Sequence, residues 1–175
     1  MQINASIFLP FPRPLVYATY RDKLLELAAH MPNVKSVQLK SRQAQASTVQ
    51  QVYEWHGKSD IPAMLKAFVS EDLLTWTDHA TWKEADFVTD WTIQPHAFSE
   101  AITWAGQDRY LEAGSGTRVE SKGILAIDPK HLKGVPGFLS GQVSRIAEDI
   151  LAKQAEPNFI EMSQCVEKYL QQHAS

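Results

Sequence analysis

One cysteine, Cys165, stands in a chain of 175 residues, and a lone thiol can build neither an internal disulfide nor a cysteine-rich zinc site. Within QCVEKY it reads as a small apolar helix residue beside Val166. Basic charge is also scarce: 17 Lys and Arg against 20 Asp and Glu leave a net charge of -3, which argues against nucleic acid as a partner. The densest basic stretch, KSVQLKSR from Lys35 to Arg42, alternates with apolar residues as the solvated face of a strand does. No apolar run approaches a membrane span, so stable membrane insertion is not expected. The opening MQINASIFLPFPRP lacks the basic and apolar blocks of a secretory leader, making a cytoplasmic location the expectation. Histidines are few and scattered. None of His30, His56, His79, His96, His131 and His173 has a partner four residues away, so neither a metal nor another cofactor is expected.

What is present is a soluble-type composition, 44% hydrophobic and 21% charged, of a length that suits one domain over residues 1–175. Nothing in it speaks to oligomeric state. Ile3, Ala5, Ile7 and Leu9 alternate with polar residues as a half-buried strand. After PFPRP, a helix starting near Pro14 carries Leu15, Tyr17, Ala18, Leu24, Leu25, Leu27 and Ala28 and stops at Met31, Pro32 and Asn33. Two strands, VKSVQLKSR and TVQQVYEW, flank the connection QAQAS. A short helix or looped insertion follows, capped by Ser59 or Asp60 ahead of Pro62, with Met64, Leu65, Phe68 and Val69 on its apolar face.

Four further segments read as an antiparallel meander: residues 75–83, 87–94, 101–112 and 117–128, the first two joined by EAD and the last two by AGSG. From Val135 onward, Leu139, Val143, Ile146 and Ile150, then Phe159, Met162, Val166, Tyr169 and Leu170, recur at helical spacing. Pro157 should bend this long helix or start a new segment. By the layer rule the order gives an α+β domain, helices packed on one face of a curved antiparallel sheet. GSGT at residues 114–117 is a turn, since a phosphate loop requires a following helix and lysine. Gly123, inside a strand, reads as a packing glycine that admits the terminal helix or a bulge.

This order and several phrases resemble the START-like (SRPBCC) superfamily: FPRPLVYATYRDKLLELAAHMPNVKSV, WTDHATW, GTRVESKGILAID, and VPGFLSGQV leading into the last helix. Within it the chain looks most like small bacterial members related to the polyketide cyclase and dehydrase group. The resemblance implies a helix-grip fold, a curved sheet wrapped around a long C-terminal helix with an apolar cavity between them. It also implies a hydrophobic small-molecule partner such as a lipid, a quinone or an aromatic polyketide. The fold hosts many functions, so it names no ligand.

Tryptophans concentrate in the meander. Strand parity puts Trp76, Asp78, Ala80 and Trp82 on one face, Phe87, Thr89, Trp91 and Ile93 on the corresponding face of the next strand, and Trp104, Asp108 and Tyr110 together on the third. Trp76, Trp82, Trp91, Trp104 and Tyr110 are candidates for a ligand wall, with plain core as the alternative. Polar residues on the same faces, Asp78, Asp108 and Ser121, need partners if buried. Either aspartate buried beside rings would serve as a general acid or base, although an exposed rim position is the commoner setting for an aspartate. His79 would face Asp90 or Trp91 as an oriented base or as a solvent-face polar pair. At the start of the terminal helix, Phe138, Gln142 and Ile146 are candidates to look into the cavity. Three readings follow: a carrier or sensor of a hydrophobic molecule, a cyclase or dehydrase type enzyme using Asp78, Asp108 or His79, and a protein-interaction domain with a filled core.

Overall fold

The structure, a computed structural model, describes residues 1–58, 60–68 and 71–173. Its elements in chain order are β1 (Gln2–Leu9), α1 (Arg13–Asp22), α2 (Leu24–Ala28), β2 (Val34–Gln45), β3 (Thr48–Gly57), α3 (Ala63–Lys66), β4 (Thr75–Lys83), β5 (Val88–Pro95), β6 (Ile102–Ala113), β7 (Gly116–Ile127) and α4 (Gly137–His173). Short 3-10 turns at Glu71–Leu74 and Pro129–His131 precede β4 and α4. The seven strands form one open, curved antiparallel sheet in the order β1-β7-β6-β5-β4-β3-β2. Its ends are the first two strands of the chain, with the meander between them.

Alternation dictates which residues face in. On β1 Ile3, Ala5, Ile7 and Leu9 are the less exposed set, and on β3 Val49, Gln51, Tyr53 and Trp55 play the same part. The helix expected from Pro14 is two. Lys23 leaves helical geometry (φ -112°, ψ 12°), so α1 ends there and α2 turns to pack against β2 and α4. The connection QAQAS tightens to Ala46 and Ser47, because Ala46 takes a left-handed conformation (φ 51°) and Gln45 already pairs with Thr48. In the insertion, Leu65 is fully buried and Phe68 packs against the core, whereas Ser59 and Val69 lie outside the described residues.

Pro157 does not end the last helix. α4 runs unbroken for 37 residues and lies against β1 and β7. Two apolar cores flank its middle. One joins Tyr17, Tyr20, Tyr110, Val119, Val166 and Leu170; the other joins Leu65, Leu73, Leu125, Val143, Ala147 and Leu151. Between the two cores the sheet and the helix enclose a gap. Among the described residues no helix is long and apolar enough to cross a membrane.

Candidate functional site

The gap between the cores is a cavity of about 220 Å³. Its floor is the inner face of β3 to β7: Gln51, Tyr53 and Trp55, then Trp76, Asp78 and Trp82, then Thr89, Trp91 and Ile93, then Trp104, Asp108 and Tyr110, then Ser121. Cross-strand register sets neighbours on this floor. Trp55 pairs with Trp76, Tyr53 with Asp78, and Asp108 with both Thr89 and Ser121. The roof is one stripe of α4, Leu151, Gln154, Ala155, Asn158, Phe159 and Met162, on the turns around Pro157; Tyr20 and Leu24 close one side.

Two tryptophans sit against two aspartates in different ways. Trp91 donates its indole N–H to Asp108 Oδ1 at 2.9 Å. Its ring lies over Gly106 and Gly123, which pair across β6 and β7; a Cβ on either glycine would fall 2.4 or 2.6 Å from the ring. Gly123 therefore admits a tryptophan, where the sequence suggested the terminal helix or a bulge. Burial raises the Asp108 carboxyl to about 6, opposed by contacts from Ser121 and Trp91 that favour its charged form.

Across the floor, Trp55 and Trp76 stack with centroids 5.9 Å apart and planes within 8°. Asp78 stands beside this stack. Burial raises its carboxyl to about 7, the Asp108 charge adds to the rise, and the Trp55 N–H opposes it. Neither Asp78 Oδ1 nor Trp55 Nε1 meets hydrogen-bond geometry with any partner among the described residues. Both aspartates are thus partly buried residues of the cavity wall and do not sit at an exposed rim.

The same condition extends around the cavity. Gln51 donates its amide N–H to the Arg21 carbonyl at 2.9 Å, yet its Oε1 is buried without a partner, as are Asn158 Oδ1 and the indole N–H groups of Trp82 and Trp104. Each such group costs on the order of 1 to 3 kcal/mol if left unsatisfied. All of them line the cavity. The residues that wall this apolar cavity thus carry indole donors and carbonyl or carboxylate acceptors whose hydrogen bonding is incomplete.

Sequence parity placed Trp76, Trp82, Trp91, Trp104, Tyr110, Ser121, Asp78 and Asp108 on inner faces, and the structure brings these eight to the same cavity. Four other expectations are corrected. His79 is exposed on the outer face and pairs with Thr92, while Asp90 pairs with Thr81, accepts from Gln107 at 2.7 Å and forms an ion pair with Lys83. The reason is register: Phe87 takes a left-handed conformation (φ 52°) inside the turn, so β5 starts at Val88 and every pairing shifts. Phe138 is 87% exposed, Gln142 is exposed, and Ile146 packs on the second core. α4 reaches the cavity only from Leu151, because its first turns lie beyond it, over Leu125 and Ile127.

Trp55, Gln51, Tyr53 and the α4 amides Gln154 and Asn158 were not anticipated. The signals existed: Gln51 interrupts an apolar alternation in β3, and Gln154 and Asn158 are four apart within an apolar stripe. Among the described residues no three His, Cys, Asp or Glu side chains converge as a metal site.

No family model matches this chain, and no curated protein does. Solved structures do. TTHA0849 from Thermus thermophilus aligns over 95% of this chain and 97% of its own at TM-score 0.66 and 14% identity. The ZhuI aromatase/cyclase from Streptomyces sp. R1128 aligns over 100% and 96% at TM-score 0.64 and 13% identity. The chain has the helix-grip fold. A norcoclaurine synthase from Thalictrum flavum shares the helix grip over 100% of this chain and 96% of its own, at TM-score 0.64 and 8% identity. These identities speak to the helix-grip architecture alone.

Proposed function

We propose that this protein is a cytoplasmic carrier or sensor that encloses a hydrophobic small molecule between the sheet and the middle of α4. The observation that carries the reading is the coincidence of one apolar cavity with buried polar atoms, on the residues that line it, that have no hydrogen-bond partner among the described residues. A well-packed interior closes on itself and satisfies its polar groups. This one holds space and polar groups together, as ligand sites do. The filled-core interaction reading loses its premise at the same point.

Size narrows the ligand. An apolar cavity of about 150 Å³ holds benzene, and drug-sized ligands occupy upwards of about 300 Å³. At about 220 Å³ the site suits one substituted ring or two fused rings. A long lipid or a four-ring polyketide would require the helix to move away from the sheet.

A second reading, a cyclase or dehydrase type enzyme, is favoured by Asp78 and Asp108, since carboxyls lifted to about 7 and about 6 are placed to exchange protons near neutral pH. The likeness to an aromatase/cyclase supports the same idea. Native mass spectrometry of freshly purified protein, with solvent extraction of any adduct, tests the first reading. A bound apolar molecule of one or two rings is expected, and its slow conversion by wild type but not by Asp78→Asn would favour the second. A bare chain that stays bare after exposure to small aromatic compounds would overturn both.

A further inference from the structure

Every residue that lines the cavity and carries a formal charge is acidic. Asp78 and Asp108 stand on the floor, and the other titratable groups facing the cavity, Tyr20, Tyr53 and Tyr110, are phenols that burial keeps neutral. No Lys, Arg or His is among the described lining residues. Arg21 and Arg42, whose charges reach toward the β3 side, are held by Asp22 at 2.7 and 3.2 Å, and Arg21 also pairs with Glu84. Two carboxyls therefore share a low-dielectric space with no cation supplied by the protein, and ionising them is costly unless a cation enters. Five indoles line the same cavity, the stacked Trp55 and Trp76 with Trp82, Trp91 and Trp104. Indole faces attract positive charge.

We propose that the cavity is built for a cationic ligand, an aromatic amine or small quaternary ammonium compound, whose positive charge meets Asp78 and Asp108 while its ring lies among the tryptophans. The inference rests on the ligand-binding reading above and names the class of molecule. The two aspartates divide the work by their present contacts. Asp108 already accepts from Trp91 and is contacted by Ser121, so fewer of its acceptor sites are open, whereas Asp78 lines the cavity with an incompletely hydrogen-bonded carboxylate and is the primary anchor. A protonated amine would satisfy it with a charge-assisted hydrogen bond.

The test uses the full chain and matched probes of one ring: phenethylamine and benzyltrimethylammonium against the neutral 2-phenylethanol, followed by calorimetry and tryptophan fluorescence. At about pH 8, where both carboxyls are ionised, the cations should bind at least about tenfold tighter than the alcohol. That preference should vanish in the double variant Asp78→Asn, Asp108→Asn, which keeps the side-chain shape and should still bind the alcohol. Lowering the pH to about 5 should weaken benzyltrimethylammonium, whose own charge is permanent, because protonation neutralises its partners. If the alcohol binds as tightly as the cations, or the double variant retains the preference, the cation proposal falls and the ligand-binding reading stands. If no probe of either kind binds, both fall.

Discussion

The cavity floor has two halves that use the same residue types to opposite ends. On one, Trp91 rests on two glycines and donates to Asp108. On the other, Trp55 and Trp76 stack on each other beside Asp78, and the Trp55 N–H approaches that carboxylate without reaching good hydrogen-bond geometry. The closed half rigidifies the sheet, since a satisfied buried polar pair fixes ring and carboxylate together. The open half leaves a donor and an acceptor ready for something else. A preorganised wall facing an unsatisfied one is the physical division that the proposed ligand site rests on.

The sharpest way to break this comparison is through the glycines. A Cβ at Gly106 would lie 2.3 Å from the Lys122 carbonyl and 2.4 Å from the Trp91 ring, so backbone as well as side chain must shift. Gly106→Ala should cost about 3 kcal/mol in chemical denaturation, at the upper end of overpacking penalties. At Gly57, on the open half, the closest atom is the Trp76 ring at 3.1 Å. Because that ring has the cavity to move into, Gly57→Ala should cost less than about 1 kcal/mol. Equal costs would show that the two halves are equally rigid.

The next largest effect is electrostatic. A carboxyl raised by burial binds a proton in the folded protein that the unfolded chain has already lost, so unfolded and folded states differ in bound protons between the ordinary aspartate value of 3.8 and about 7 for Asp78. Stability of the ligand-free protein should therefore fall as pH rises through that window, the reverse of a salt-bridged aspartate. Asp78→Asn should flatten the upper part of the fall and stabilise the protein by roughly 2 kcal/mol at about pH 8, after allowance for water reaching the carboxylate. A variant no more stable than wild type at that pH would mean that Asp78 is solvated.

Much of this was readable beforehand, and what was not has a common cause. Alternation exposes which residues share a face, so β4 and β5 displayed Trp76, Asp78, Trp82 and Trp91 together without coordinates. Alternation says nothing of register. A single left-handed residue, Phe87, moved His79 from Asp90 to Thr92, and the alignment of Gly106 with Gly123 under Trp91 depends on a two-residue turn at Gly114 and Ser115. Helical periodicity is similarly blind along the axis. It identified the stripe of α4 that faces the sheet but not which turns lie over the cavity, which is why Phe138, Gln142 and Ile146 were expected where Leu151, Gln154 and Asn158 are found.

The smallest effect sharpens the comparison most directly, because it reads the two tryptophan–aspartate pairs one at a time. Trp91→Phe removes the N–H that stabilises ionised Asp108, so the Asp108 carboxyl should titrate about one unit higher, approaching the value of Asp78. Trp55→Phe removes an N–H that makes no hydrogen bond of good geometry, and Asp78 should move by a few tenths of a unit at most. Carboxyl-carbon NMR titration of each variant resolves the two sites. Because the aspartates repel each other, each curve belongs partly to the pair, and the comparison is made between variants under identical conditions. A large shift of Asp78 in Trp55→Phe would mean that the second pair is closed in solution, leaving Asp78 with less acceptor capacity for a ligand.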